Sequence, residues 1–409
     1  MNNNFTKTPN RFNMNLYFTK GCIVFKREII QELLKLSGSY PVVTIIGPRQ
    51  SGKTTLVRTA FPDLPYVNLE APDIREYAER DPRSFLAASS NGMIIDEIQR
   101  VPSLFSYIQT IVDEHDKKGQ FILTGSHQLD LHHRISQSLA GRVALLTLLP
   151  MSIQELTQAG FNDPLDELMF KGGYPRIYKD NLDPTTTYRN YHQTYLERDL
   201  RQLINIKDLS QFQRFIRLCT GRIGQILNLA SLSNDVGVSS HTIKQWLSIL
   251  EASYLIFLLQ PYYENFGKRS IKSPKLYFTD IGLVCYFLGI ENSNQLSRDP
   301  LRGAIFENLI FLELYKSRSN QGLDPKLYFY RDQKGFEIDF IFEKARKLIP
   351  IEVKSAQTFA NDFGKNIQTF QLLTKEKGDN GYIIYSGDRE FSIGGMKIIN
   401  YKNIPEIFV

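Results

Sequence analysis

The sequence predicts an α/β fold class built as several units in series: a parallel sheet flanked by helices, a mostly helical stretch, a helix–turn–helix with a hairpin, and a second α/β unit. Three observations predict it. Short β-branched apolar runs alternate with helical patterns up to about residue 150, the pattern turns helical beyond Pro150, and from Gly303 the order becomes helix, three strand-like runs, helix and strands.

Residues 1–24 read as an N-terminal extension, its first dozen residues polar, Asn-rich and unable to bury a face. A helical pattern with apolar pairs four apart follows from Phe25 and ends at Gly38. Residues 42–46 are β-branched and bounded by Pro41 and Gly47, as a buried parallel strand requires, and similar runs recur at 66–69, 93–95 and 121–124. These place the first unit at 25–150. A helical segment at 151–205 holds a Gly172-Gly173-Tyr174-Pro175 break, a middle unit occupies 206–290, and the last unit spans 291–409.

Composition bounds the function. With 42% hydrophobic and 22% charged residues, the 409-residue chain is globular, and disordered, collagen-like and coiled-coil classes are excluded. A net charge of +6 tilts mildly toward polyanionic partners. Three widely separated cysteines, Cys22, Cys219 and Cys285, offer neither a disulfide framework nor a metal site, which suits a reducing cytoplasm. No apolar run approaches the roughly 18 residues of a membrane span and no leader pattern opens the chain, so a cytoplasmic protein without a membrane partner is expected.

Gly47, Pro48, Arg49, Gln50, Ser51, Gly52, Lys53 and Thr54 match G-x-x-x-x-G-K-[ST] between a strand and a helix, with Thr55 next. In such a loop backbone N–H groups curl round phosphates, Lys53 brings a point charge to the β- and γ-oxygens, and Thr54 ligates Mg²⁺. The apolar run 93–95 ends in Asp96 and Glu97. Asp96 is placed for the Mg²⁺ shell and Glu97 for polarising an attacking water, so ATP and Mg²⁺ are the expected cofactors. The next strand ends in Thr124-Gly125-Ser126, which puts Ser126 where a polar γ-phosphate sensor belongs; Thr-Gly-Ser is also ordinary turn chemistry. Two readings stand for Arg142, an arginine completing a neighbour's site in a ring or a solvated surface residue. Two stand for Gly173 and Pro175, a lid meeting the adenine or a plain turn. His127, His132 and His133 lack partners at ligand spacing and read as loop residues.

With these residues in view the chain resembles prokaryotic ATPases of the AAA superclass that carry a C-terminal domain of unknown function. The resemblance rests on the loop from Gly47 to Thr54, Asp96-Glu97 with residues 98–102, residues 121–126, Gly141-Arg142, and residues 172–175. It implies an ATPase core with a helical lid.

In the middle unit, residues 227–232 and 236–247 read as helix, tight turn, helix. Ser239 or Ser240 caps the second helix, Ile243, Trp246, Leu247 and Leu250 form one buried stripe, and Thr242, Lys244, Gln245 and Ser248 lie outside. A hairpin follows whose tip carries Lys268, Arg269, Lys272 and Lys275, which makes a winged-helix pattern. The expected partner is nucleic acid, probed through its phosphates; winged helices serve equally as protein-binding modules.

In the last unit Glu307 lies on the first helix, Asp339 in the second strand, and Glu352 and Lys354 end the third. Period-2 alternation puts Glu352 and Lys354 on one face, where Asp339 approaches closely enough to share a divalent ion. Glu307, Asp339 and Glu352 are therefore candidate metal ligands, and Lys354 a group that orients water or stabilises phosphate charge. Pattern and element order resemble the PD-(D/E)xK nuclease fold of restriction endonucleases and Holliday-junction resolvases, although Asp339 follows Ile338 instead of the proline of that name.

Overall fold

The chain enters as a hairpin: in a computed structural model, Leu16–Thr19 (β1) pairs antiparallel with Cys22–Phe25 (β2). The structure describes residues 16–19, 22–89, 91–115, 117–126, 138–196, 209–262, 271–374 and 380–408. The helix expected from Phe25 therefore starts later, as Ile30–Ser37, because the apolar β-branched run before it pairs as a strand. Lys268 and Arg269, like His127, His132 and His133, lie outside the described residues.

Strands Val42–Ile46 (β3), Tyr66–Asn68 (β4), Met93–Asp96 (β5), Phe121–Gly125 (β6) and Val143–Thr147 (β7) form one parallel sheet in the order β4-β5-β6-β3-β7. Every residue of β3, β5 and β6 is buried, as expected where helices cover both faces. Two apolar clusters line the two sides of this sheet, one around Val42, Ile95 and Phe105, the other around Val43, Ile94 and Ile122. Because β6 lies between β3 and β5, the loop after β3 and the tip of β5 flank the end of β6.

Helices Ile153–Gln158, Leu165–Lys171, Pro175–Lys179 and Pro184–Tyr191 follow, the first opened by a capping box between Ser152 and Glu155. The middle unit packs Leu209–Thr220, Leu229–Val236 and Ser240–Ala252 against the antiparallel pair Ile256–Leu259 (β8) and Lys275–Phe278 (β9). Ser239 caps the last of these helices by accepting Thr242 N, and Ile243, Trp246, Leu247 and Leu250 are buried as expected.

The helix Arg302–Ser319 buries residues round its circumference, from Ile305 to Lys316, so it is an interior element rather than a surface one. Behind it stands a mixed sheet of Leu327–Arg331 (β10), Glu337–Lys344 (β11), Lys347–Lys354 (β12), Gly381–Tyr385 (β13), Phe391–Ile393 (β14) and Met396–Asn400 (β15), ordered β10-β11-β12-β13-β15-β14. The pairs β10–β11, β11–β12 and β14–β15 are antiparallel, whereas β12–β13 and β13–β15 are parallel. One continuous apolar cluster joins Met151 and Tyr188 through Trp246 and Phe306 to Ile407. Among the described residues no helix is long and apolar enough to cross a membrane.

Candidate functional site

The loop after β3 is shaped by backbone that only glycine adopts cheaply. Gly47 has φ +143°, and a Cβ there would lie 2.2 Å from the Leu148 carbonyl oxygen; Gly52 has φ +96°. Lys53 opens the helix Lys53–Ala60 and donates its ammonium to the Gly47 and Pro48 carbonyls at 2.9 and 2.8 Å. Burial lowers its pKa to about 8 against the opposing pull of Glu97 and Asp96, with Arg49 adding to the depression. An ammonium in so dry a position discriminates strongly for an anion. Arg49 pairs with Glu70 at 3.6 Å, Gln50 takes φ +62°, and the buried Ser51 hydroxyl has no hydrogen-bond partner.

The strand tips meet this loop. Thr54 Oγ1 donates to Asp96 Oδ2 at 2.9 Å, and Tyr66 donates to the same oxygen at 2.7 Å, while Thr124 donates to Oδ1. Burial and then the Asp96 hydrogen bond push the Tyr66 phenol up, so it stays a donor. Glu97 sits at φ +57°, a left-handed conformation uncommon for a residue with a side chain. Its Oε2 accepts Ser126 Oγ at 3.2 Å and also Gln99 Nε2, so Ser126 belongs with the carboxylate pair. Thr54 and Asp96 offer hard oxygen ligands side by side and thus fit Mg²⁺; the glycine-shaped loop, the open Ser51 hydroxyl and Lys53 fit a polyphosphate.

A cavity of about 80 Å³ adjoins Gly52 and Thr55, walled by Phe25, Ile30 and Pro175 with Arg27 and Lys179 at its polar side. Pro175 and Thr55 thus line it. Gly173 does not, which corrects the expectation for that residue: its N–H donates to Asp280 at 2.7 Å, its carbonyl accepts Met151 N, and a Cβ would meet the Met151 carbonyl at 2.8 Å. Gly173 is a close-packing point between the helical segment and the middle unit. Phe25, Arg27 and Ile30 were missed because tertiary packing alone sets them beside the loop, where Arg27 donates to the Ser51 carbonyl at 2.7 Å. Arg142 precedes β7, and its carbonyl accepts Val42 N at the start of β3. The loop leaves the other end of the five-residue β3, about 13 Å away over four rises of about 3.3 Å. The Arg142 guanidinium forks onto Asp113 and cannot reach the loop of its own chain.

In the C-terminal unit β11 and β12 pair so that Val353 N donates to Asp339 Oδ2 at 2.8 Å and Lys354 donates to Glu352 Oε2 at 2.7 Å. Glu352 is 1% exposed, and its Oε1 has no hydrogen-bond partner. Burial, then Asp339, raises the Glu352 carboxyl against the pull of Lys354. Glu307 is drawn elsewhere: it accepts Lys275 Nζ at 3.1 Å and Tyr277 OH at 2.6 Å. Among the described residues no three acids converge as a metal-holding group, so Glu307 is corrected from metal ligand to the partner of Lys275. Lys275 is corrected too. It is 1% exposed, held by Glu307 and by Glu337 at 2.5 Å, and presents nothing to a phosphate. The register of β9 turns it inward onto the Arg302–Ser319 helix, a contact the local charge run could not reveal.

Comparison with known proteins adds three matches along the chain: an AAA domain over residues 39–157, a domain of unknown function (DUF8612) over 162–294, and a domain of unknown function (DUF4143) over 302–404. "Uncharacterized protein Rv2008c" of Mycobacterium tuberculosis (strain ATCC 25618 / H37Rv) is 31% identical over 340 residues, covering 82% of this chain and 75% of the relative. An "Uncharacterized protein" of Haemophilus influenzae (strain ATCC 51907 / DSM 11121 / KW20 / Rd) is 25% identical over 366 residues, covering 81% and 86%. Among solved structures, the Walker-type ATPase PABY2304 of Pyrococcus abyssi matches with a TM-score of 0.44 at 15% identity, over 64% of this chain and 96% of that one.

Proposed function

Because the chain belongs to the family of Rv2008c and carries an AAA domain at 39–157, we propose that it binds and hydrolyses ATP and couples the hydrolysis to nucleic acid. The observation that carries the proposal is the 2.9 Å bond from Thr54 to Asp96 beside the buried Lys53, with Glu97 held next to it by Ser126. Lys53 would neutralise β- and γ-phosphate oxygens, Thr54 and Asp96 would hold Mg²⁺, and Glu97 would orient and deprotonate the attacking water. Mg²⁺ supplies charge neutralisation at the phosphates. The cavity walled by Phe25, Ile30 and Pro175 offers the apolar surface that one face of a base requires, and a ring in which Arg142 serves the neighbour's nucleotide agrees with its distance from its own loop.

Nucleic acid is supported by the helix Ser240–Ala252, which leaves His241, Lys244, Gln245 and Ser248 exposed on one side, the face a winged helix offers to a groove. A second reading, a nucleotide-regulated switch whose hairpin binds protein rather than DNA, is favoured by the burial of Lys275 against the C-terminal helix. Magnesium-dependent cleavage rests on Asp339 and Glu352, whose partnerless Oε1 suits one cation, with Lys354 beside them. One assay separates these readings: ATP hydrolysis by the wild type and by Glu97→Gln, with and without linear and branched DNA in Mg²⁺, with the DNA resolved on a gel. The proposal expects hydrolysis that DNA accelerates and that the variant loses by about 10²-fold or more. Hydrolysis indifferent to every DNA selects the switch, products absent in Asp339→Ala select cleavage, and no hydrolysis at all refutes the enzyme.

A further inference from the structure

A continuous set of buried and half-buried polar contacts ties the phosphate loop to the C-terminal unit. Arg27, 6% exposed, donates Nη1 to the Ser51 carbonyl at 2.7 Å, Nη2 to the Leu149 carbonyl at 2.6 Å and Nε to Glu155 Oε1 at 3.0 Å. That same oxygen accepts Glu28 N at 2.8 Å, and Glu28 Oε2 accepts Asn320 Nδ2 at 2.9 Å from the end of the Arg302–Ser319 helix. A second set runs alongside. Glu313 Oε2 accepts Ile153 N at 2.8 Å, and Lys316 donates to the Met151 carbonyl at 2.8 Å and to Glu313 at 3.0 Å.

Arg27, Glu155, Glu313 and Lys316 are all buried and Glu28 is half-buried, so at the four buried groups a partner that moves away is not replaced by water and the contacts shift together or break at a cost. The described chain has no cis peptide, so the Ser51 carbonyl and the Gly52 N–H point in opposite senses from one rigid plane. Arg27, by gripping the carbonyl, therefore aims that amide, and the amides of such a loop are its anion donors.

We propose that Arg27 is a positioning residue for the phosphate loop, and that through Glu155 and Glu28 the helix Arg302–Ser319 sets how tightly the loop holds nucleotide. Coupling is reciprocal, so nucleotide in the loop changes the order of that helix, which carries Glu307 and its pair with Lys275 near its other end. The inference rests on the nucleotide reading above.

Two measurements on the full chain test it: affinity for N-methylanthraniloyl-ADP with Mg²⁺ by fluorescence, and amide hydrogen exchange with and without that nucleotide. Arg27→Ala weakens binding by about tenfold or more, Arg27→Lys recovers part of the loss by keeping the Glu155 pair, and Asn320→Ala and Glu313→Gln weaken it about fivefold. Lys35→Ala, which removes an exposed pair with Glu32, binds like the wild type. Saturating nucleotide slows exchange at 47–54 and also at 302–320. Wild-type affinity in both Asn320→Ala and Glu313→Gln, or unchanged exchange at 302–320 while 47–54 is protected, overturns the inference and leaves nucleotide binding standing. No protection at 47–54 in the wild type refutes nucleotide binding itself, and the inference falls with it. Should Arg27→Ala fail to fold, the Asn320→Ala affinity decides.

Discussion

Replacing Glu352 by Gln should remove a pH dependence from the stability of the whole C-terminal half. The Glu352 carboxyl is raised from 4.5 to about 8, first by burial and then by Asp339, with Lys354 pulling the other way. A raised carboxyl means that the folded chain holds a proton the unfolded chain releases, so the group stabilises fully below pH 4.5. That stabilisation drains away as pH rises from 4.5 through about 8. A displacement of about 3.5 pH units at roughly 1.4 kcal/mol each amounts to about 5 kcal/mol across that window, an upper figure because Glu307 titrates beside the same Asp339. The readout is urea unfolding between pH 4.5 and 8.5, followed through the chain's one tryptophan, Trp246, which sits in the continuous apolar cluster. Wild type should lose stability across the window while Glu352→Gln stays flatter, whatever the variant's absolute stability. Parallel curves for the two proteins would refute the burial argument and, with it, the picture of a carboxyl held protonated near neutrality.

Lys53→Ala should abolish ATP hydrolysis and weaken nucleotide binding by about 10²-fold, measured by equilibrium fluorescence, because among the described residues no other side chain donates a buried ammonium to the loop. Gly47→Ala should cost about 2 kcal/mol or more in urea unfolding, since its Cβ would press to 2.2 Å from the Leu148 oxygen at a left-handed φ. Arg142→Ala should lose hydrolysis in isolation yet regain part of it when mixed with Lys53→Ala, one variant supplying the arginine and the other the loop; a mixture no better than its parts counts against action between subunits.

The nucleotide loop was legible in the sequence because its motif is local: eight consecutive residues with a strand before and a helix after. The stripe Ile243, Trp246, Leu247 and Leu250 was legible for the same reason, helical periodicity being a short-range signal. What escaped depends on distant chain. Lys275 sat in a run of basic residues that reads as a solvated tip, and Glu307 and Glu337, 32 and 62 positions on, draw it inward. Gly173 read equally as part of a lid or as a plain turn, while its amide answers to Asp280, 107 positions away. Arg27 carried no signal at all, since its partners Ser51, Leu149 and Glu155 are separated from it by up to 128 residues.

The unbroken apolar interior running from Met151 to Ile407 has a practical corollary for anyone who would dissect this chain. A fragment cut near residue 300 would leave Phe306, Leu309 and Ile310 without the side chains of the preceding units that cover them, and each such large side chain stripped of its cover forfeits about 1.5–3 kcal/mol. Swapping only the terminal portion would therefore have to redesign the seam it crosses.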